Sequence, residues 1–513
     1  MQLTQSLRNA AQRDPGRTAT IYRRRTRTFG ETIDRVSRLA GALCTLGVKE
    51  GDRVGIYSLN SDRYHELLFA VPWAGAVVNP VNVRWSPAEI AYSLRDCGTD
   101  VLFIDDTFAP LVDELKDRAP NLRTVVFCGE GEAPPGLLDY ERLVADTAPV
   151  EDRGRGGDDL YGVFYTGGTT GDPKGVMLSH HACLASAMGS LVTTDILGRG
   201  GVLLHAAPMF HLADIAAWNI GNLTGSTHVM VPSFTPTGVI EAIEKHKVTD
   251  TLLVPTMIQM LVEAPQAAGA DLSSVRHVLY GASPISETVL ANARATISNA
   301  SFTQAYGMTE LAPVATLLTA EDHQDPSLAR SCGRPAAQSE LRIVDADDNE
   351  LPRGEVGEIV VRGDHVMTGY WNNPKETEAA LRNGWMHTGD AGYMNERGYV
   401  FLVDRIKDMI ITGGENVYSV EVENAVAKHP SVAQVAVVGL PDERWGERVH
   451  AVVVPRENAS VTLEEIQDFC RPMIAGYKLP RSLALVDALP ISGTGKILKR
   501  ELRKQHSEPP SGQ

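Results

Sequence analysis

The stretch Tyr165–His180 reads YTGGTTGDPKGVMLSH and gathers residue types that hold phosphate. Gly167, Gly168 and Gly171 let a backbone turn tightly and aim N–H groups at anionic oxygens, Thr166, Thr169 and Thr170 add hydroxyls, and Lys174 adds an ammonium. Before it, the apolar run Leu160–Phe164 reads as a buried strand; after it, Ala182–Leu191 reads as the start of a helix. The combination suits a nucleotide triphosphate, although a Gly/Thr-rich connection between strand and helix is also ordinary structural punctuation. No GxxxxGK[ST] is present here or at Gly493-Thr-Gly-Lys496, where Ile497 follows the lysine, and the GxGxxG spacing is missing. The usual NTPase and dinucleotide-binding readings therefore lose their main support.

The elements that must position this loop alternate between strand and helix. Thr32–Leu46 carries Ile33, Val36, Leu39 and Leu43 at helical spacing, and Arg53–Ser58 reads as a strand. Short apolar runs at Val202–Ala206, His228–Val231, Thr251–Val254, His277–Leu279 and Phe302–Ala305 are separated by amphipathic stretches such as Thr237–His246 and Ser286–Thr296. Strands spaced by helix-length segments predict an α/β chain with parallel sheets covered on both faces. Past about residue 335, Leu341–Val344, Glu358–Arg362 and Tyr399–Asp404 read as strands joined by Gly/Asp/Asn turns, which predicts a β-rich subdomain. Beyond Asp404 the expectation is a compact α+β unit, with helices at Ser419–Lys428 and Leu463–Phe469 and strands at Val435–Gly439 and Val449–Val454. The predicted organisation is a large domain over 1–403, a hinge at 404–405, a small mobile domain over 406–504 and a disordered polar tail at 505–513.

Polar clusters stand at several predicted strand ends, where open α/β sheets place ligands. They are Gly281-Ala-Ser-Pro284, Tyr306-Gly-Met-Thr-Glu310, Thr388-Gly-Asp390, Asp404-Arg-Ile-Lys-Asp408, Thr412-Gly-Gly-Glu-Asn416 and Gly493-Thr-Gly-Lys496. Alone, each has a structural reading: Tyr306 as a core or rim tyrosine, Asp390 as a turn residue, Arg405 in a solvated charge cluster, Lys496 as a surface lysine. With the Thr166–Lys174 loop and in this order, they resemble the adenylate-forming superfamily of acyl- and aryl-CoA synthetases, carrier-protein adenylation domains and firefly-type luciferases, over roughly residues 15–503.

The resemblance implies an ATP-dependent carboxylic acid–CoA ligase using Mg²⁺. Thr166, Gly167, Gly168, Thr169, Thr170, Gly171 and Lys174 would cradle the β- and γ-phosphates, Glu310 would ligate the metal, and Thr309 would touch the α-phosphate. Tyr306, with Gly307 and beside Gly281, Ala282 and Ser283, would receive adenine, while Asp390 and Arg405 would hold the ribose. Lys496 would be the adenylation lysine and Asp404 the hinge. Gly413, Gly414 and Glu415 would line the pantetheine channel, with Trp445, Tyr477 and Lys478 facing the CoA nucleotide; for Trp445 and Tyr477 a core role stays equally open. His211 and Trp218 are implied at the acyl pocket, although His211 at a strand end could simply cap a helix. One departure is Gly167, where many relatives carry serine.

The expected pocket segments, Leu212–Trp218, Val231–Phe234 and Leu311–Val314, are mostly apolar and contain no Lys or Arg, only Asp214. They favour a medium- or long-chain fatty acid, then an aryl or cinnamate-type acid. Free CoA is favoured over a carrier protein because no carrier segment with a phosphopantetheine serine adjoins. A non-catalytic acyl-nucleotide binder is disfavoured by Lys496, Glu310 and Asp390 together.

Composition narrows the partners. Lys and Arg number 48 against 64 Asp and Glu, a net charge of −16 that repels nucleic acid. Six scattered cysteines lack any CxxC pair, and the polar N-terminus lacks an apolar signal core. The longest apolar segment, around Phe69–Val78, contains Pro72 and is far too short to span a bilayer. A cytoplasmic enzyme is expected, with peripheral membrane contact and a homodimer left open.

Overall fold

The computed structural model describes the chain except residues 168–171, 284, 443, 458, 491–496 and 508–513 and the side chain of Asn416. Gly168, Thr169, Thr170, Gly171 and Lys496, assigned roles above, lie outside the described residues. The chain forms two compact units, Met1–Leu341 with Val361–His387, and Arg342–Val360 with Thr388–Gln513. The second unit thus takes in chain that the sequence assigns to the large domain, because its boundary follows packing rather than the composition change at Asp404.

The first unit holds two sheets. One has eight strands, in the order Gly369–Tyr370, Lys174–Ser179, Leu160–Thr166, Val77–Pro80, Arg53–Tyr57, Thr99–Ile104, Thr124–Phe127 and Leu138–Asp139. From Leu160–Thr166 onward neighbours run parallel, whereas Lys174–Ser179 runs antiparallel to the strand on each side of it. The other has nine strands, with a parallel centre of Ser301–Gly307, His277–Gly281, Asp250–Leu253, Val202–His205, Thr227–Met230 and Thr18–Tyr22 and antiparallel strands at both edges.

Local rules explain where helices start. Thr28 and Glu31 form a reciprocal capping box ahead of the helix Phe29–Thr45, and Ser86 with Glu89 does the same for Pro87–Cys97. Val36, Leu39 and Leu43, read from sequence as one helical face, are fully buried. Leu204, Val229, Leu253, Val278 and Phe302 on the nine-stranded sheet pack with Val239, Ile243, Met257 and Ile258 from its helices. Each such buried side chain stabilises the fold by about 1.5–3 kcal/mol relative to exposure.

Two expectations are corrected. Lys174–Ser179 is a strand paired antiparallel with Leu160–Thr166, so a strand intervenes between the Gly/Thr-rich stretch and the helix, which runs His180–Thr193 and contains the expected Ala182–Leu191. The C-terminal helix Lys499–Ser507 runs past the expected start of the disordered tail at residue 505, anchored by Leu502, 1 % exposed.

In the second unit, Val432–Asp442 and Gly446–Pro455 form a long antiparallel pair, longer than the expected strands, because the register continues through Asp442↔Gly446. Ile410–Thr412 and Ser482–Leu485 add to Gly446–Pro455, and Glu415–Val417 closes a hairpin on Ile410–Thr412. The helices Ser419–Val426 and Leu463–Cys470 cover a core of Val422, Val437, Val449, Ala451, Val453 and Ile466. No helix among the described residues is long and apolar enough to cross a membrane.

Candidate active site

Two motifs meet because their strands are neighbours. Gly281 pairs with Ala305, so Gly281-Ala282-Ser283 and Tyr306-Gly307 leave adjacent parallel strands at the same end of the sheet. A Cβ on Gly281 would stand 2.3 Å from the Ala305 carbonyl oxygen, and one on Gly307 would stand 1.9 Å from that of Pro313. Both glycines are required by backbone crowding before any ligand is considered. Thr309–Leu311 follows as one 3₁₀ turn packed against the strand Lys174–Ser179, and Glu310 is 6 % exposed.

Glu310 and Lys174 meet at a residue the sequence reading missed. The Tyr370 hydroxyl donates to Glu310 Oε1 at 2.8 Å, and Lys174 Nζ lies 5.3 Å from the Tyr370 ring centroid. Lys174 also pairs with Glu376 on the helix Pro374–Ala380. At the loop's other root, the Tyr165 hydroxyl donates to Asp96 Oδ2 at 2.5 Å. Burial, with Cys97 and Asp96 nearby, raises the Tyr165 phenol, so it stays a neutral donor. The Trp371 indole and Asn372 amide donate to the Asp96 carbonyl at 2.9 and 3.0 Å. Thr166 pairs with Lys174 across the hairpin, and Gly167 would have open space around a Cβ. The signal available in sequence was the short aromatic run Gly369-Tyr-Trp371, bounded by the turn residues Asn372-Asn-Pro374.

The segments expected around the acid have a polar backing. Asn60, 3 % exposed, donates through Nδ2 to the Ala207 carbonyl at 2.8 Å and accepts from Met209 N at 2.7 Å, while its own N–H donates to the Pro232 carbonyl at 3.1 Å. It thereby clamps the two segments that precede His211 and Phe234. His211 is the residue before the helix Leu212–Thr224, and its side chain makes no capping bond there. Trp218 is 1 % exposed, with its indole donating to His65 Nδ1 at 2.8 Å and its ring 4.5 Å from Phe69. Asp214 is equally buried and lies 2.7 Å from His205 Nδ1, whose Nε2 is 2.8 Å from His228 Nδ1. Burial and the adjoining histidines hold His228 well below its ordinary range, and burial pushes His65 down to about 3. Asp214 is thus engaged inside the unit.

In the second unit, Asp390 pairs in register with Arg405, and Arg405 Nε lies 2.6 Å from Asp390 Oδ1. Thr388 Oγ1 donates to the Ile359 carbonyl at 2.7 Å and accepts from Asp390 N, which fixes the turn carrying the carboxylate. Asp404, 3 % exposed, accepts through Oδ2 from Ser419 Oγ and through Oδ1 from Arg405 N. The Gly413-Gly414 turn requires positive φ at both residues, 63° and 86°, and Gly413 packs on Trp445 and donates to its carbonyl. The Trp445 ring has the guanidinium of Arg481 4.4 Å and that of Arg444 4.7 Å from its centroid. Glu415 begins the returning strand. Lys478 is bound by both oxygens of Glu421 at 2.7 Å, beside Tyr477, which is 37 % exposed. Gly413, Gly414 and Trp445 are brought together; Tyr477 and Lys478 group instead with Glu421.

Among the described residues no cluster of three or more His, Cys, Asp or Glu could hold a metal. A single buried carboxylate such as Glu310 nevertheless fits Mg²⁺, a hard ion that takes one or two carboxylates and completes its shell with phosphate oxygens and water.

Residues 7–371 match the AMP-binding enzyme family and residues 421–496 match the AMP-binding enzyme C-terminal domain. The chain is 39% identical to a feruloyl-CoA synthase of Amycolatopsis sp, over 96% of this chain and 97% of that one. It is 37% identical to the fatty acid–[acyl-carrier-protein] ligase ScoC of Streptomyces coeruleorubidus, over 98% and 96% of the two chains. The anthranilate CoA ligase AuaEII, solved with anthranoyl-AMP, superposes with a TM-score of 0.89 at 25% identity, covering 98% of this chain and 97% of that one. This chain belongs to the AMP-binding enzyme family, within the adenylate-forming superfamily, and is an acid–thiol ligase.

Proposed function

We propose that the protein activates a largely apolar carboxylic acid with ATP and transfers it to CoA, in two steps through an acyl-adenylate. The observation that carries this reading is the convergence of Glu310 and Lys174 on Tyr370, with Tyr306 and Gly281-Ala-Ser283 leaving neighbouring strand ends. A carboxylate oxygen attacks the α-phosphorus, the bond to the β-phosphate oxygen breaks, and pyrophosphate leaves. The thiolate of CoA then attacks the acyl carbonyl carbon and AMP departs with the bonding pair.

In the first step a carboxylate anion must approach the polyanionic triphosphate, so cationic charge near the reacting atoms lowers the barrier. Lys174 and the segment from Thr166 to Lys174 would receive the β- and γ-phosphates, Thr309 the α-phosphate, and Lys496 the carboxylate. Bound Mg²⁺ supplies charge neutralisation at the phosphates, and Glu310 is the side chain that would hold it. Asp390 and Arg405 would take the ribose hydroxyls, and Tyr306 would face adenine. Rotation about Asp404 would withdraw Lys496 and present the Gly413-Gly414 turn to the pantetheine arm, a division of labour that lets one cleft serve both half-reactions. His211 would stand at the acyl pocket; the buried Trp218 would support its wall from behind.

For the acid, we favour a medium- or long-chain fatty acid, with an aryl or cinnamate-type acid second. The expected pocket segments are apolar, and Asp214 already engages His205, which disfavours the ammonium of an amino acid. Similarity to ScoC supports a second reading in which the acceptor is a carrier protein. None of the cysteines forms a disulfide among the described residues, which fits the cytoplasmic setting we propose. The test is acyl-CoA formation read by mass spectrometry with ATP and Mg²⁺, across fatty acids of graded length, benzoates, cinnamates and amino acids. A fatty acyl-CoA product is expected. Pyrophosphate release without any thioester would replace CoA by a carrier protein, and preferred turnover of a cinnamate or benzoate would overturn the fatty-acid assignment.

A further inference from the structure

We propose that Tyr370 is a positioning residue of the nucleotide site, fixing the rotamer of Glu310 with its hydroxyl and seating Lys174 on its ring. The inference rests on the adenylate-forming reading above, in which Glu310 serves Mg²⁺ and Lys174 serves phosphate. Tyr370 is 7 % exposed and Glu310 6 %, so the 2.8 Å bond between them is sheltered from water. A hydrogen bond to a buried charged acceptor is among the stronger kinds.

Three backbone anchors keep the ring in place. Tyr370 pairs with Val176 on the strand that starts at Lys174. The Trp371 N–H donates to the Gly175 carbonyl at 2.7 Å, and the Tyr370 N–H donates to Thr377 Oγ1 at 2.9 Å. The Met367 N–H donates to the carbonyl of Glu310 itself at 2.9 Å, so the same strap holds the backbone of the carboxylate whose side chain Tyr370 orients. The helix that contributes Thr377 also contributes Glu376, the counter-ion of Lys174.

The physical need is separation of charge. Lys174 lies over the ring of Tyr370 and Glu310 binds its hydroxyl, and a carboxylate free to rotate would be drawn toward the ammonium. Such a pair would cancel the phosphate-binding cation and the metal-binding anion together. The phenol holds Glu310, while the ring face and Glu376 hold Lys174, which keeps the metal-binding carboxylate and the phosphate-binding ammonium apart until a nucleotide arrives.

The two functions of the ring separate in two variants of the full chain. Tyr370→Phe keeps the ring and removes only the hydroxyl; Tyr370→Leu removes both. ATP binding is measured by calorimetry with Mg²⁺ and with EDTA, alongside the half-saturating Mg²⁺ concentration for ATP–pyrophosphate exchange. Thermal melts establish that the variants are folded. Tyr370→Phe is expected to raise the half-saturating Mg²⁺ about tenfold and to shrink the Mg²⁺-dependent gain in ATP affinity similarly, with binding in EDTA unchanged. Tyr370→Leu is expected to weaken binding in EDTA as well, because Lys174 loses its seat. Wild-type Mg²⁺ dependence in a folded Tyr370→Phe overturns the proposal. Glu310→Gln separates the layers: if it too keeps wild-type Mg²⁺ dependence, the metal reading of Glu310 fails and takes this inference with it. If only Glu310→Gln is impaired, the role of Tyr370 alone is refuted.

Discussion

Acidification should destabilise the first unit by charging histidines that its interior holds neutral. Burial pushes His65 down to about 3, and His180 and His365 to about 4, from an ordinary value of 6.5. Each depressed value means that the unfolded chain binds a proton before the folded one does. The stabilisation is therefore complete above about pH 6.5 and is lost as pH falls toward the folded values. Between about pH 7.5 and pH 5.5 each histidine goes from nearly neutral to about nine-tenths protonated in the unfolded chain, while staying neutral when folded. Linkage at ~1.36 kcal/mol per unit then removes about 1.3 kcal/mol per residue, or roughly 4 kcal/mol for the three. That is a large share of a typical stability of about 5–15 kcal/mol. Asp62, lowered by Arg25 and its neighbours despite its burial, adds to the loss at still lower pH. Asp105, raised by burial, offsets part of it there because its folded state takes up a proton more readily. Urea unfolding followed by tryptophan fluorescence at both pH values measures the difference, and His365→Gln should reduce it by about 1.3 kcal/mol. A change below about 1 kcal/mol would show that the interior does not keep these rings neutral.

Replacing Lys496 by alanine should slow adenylate formation on the order of 10²–10³-fold while thioester formation from supplied acyl-adenylate is largely retained; equal loss in both half-reactions would refute a two-conformation cycle. Gly307→Ala would drive a Cβ to 1.9 Å from the Pro313 oxygen, so it should destabilise the fold by roughly 1–3 kcal/mol, read as a lower melting temperature. Gly167→Ser meets open space and should melt like the parent. The added hydroxyl should lower the KM for ATP; an unchanged or higher KM would place the loop's donors elsewhere.

Much of the secondary structure is legible locally because its signals are local. The Thr28–Glu31 box, the burial of Val36, Leu39 and Leu43, and the short apolar runs from Val202 to Ala305 need no knowledge of distant chain. The strand Lys174–Ser179 escaped that reading because its residues, KGVMLS, gain their pairing from Leu160–Thr166 on one side and from Gly369–Tyr370 on the other. The end of the C-terminal helix escaped for a related reason: Leu502 is a lone apolar anchor in a charged segment, and only packing shows that it is buried.

By itself, the order of residues determined the α/β alternation, the glycines at strand ends and the family, since these depend on residue type and spacing along the chain. The tertiary structure alone decided which charges face one another. Glu310 meets Tyr370, Lys174 meets Glu376, Asp390 meets Arg405, and Asp214 turns inward to His205. These are pairings across sheets and returning strands, chosen by register and burial rather than by spacing. A carboxylate read from sequence is only a charge; the neighbour that topology assigns to it decides whether it faces a cleft or braces an interior ring.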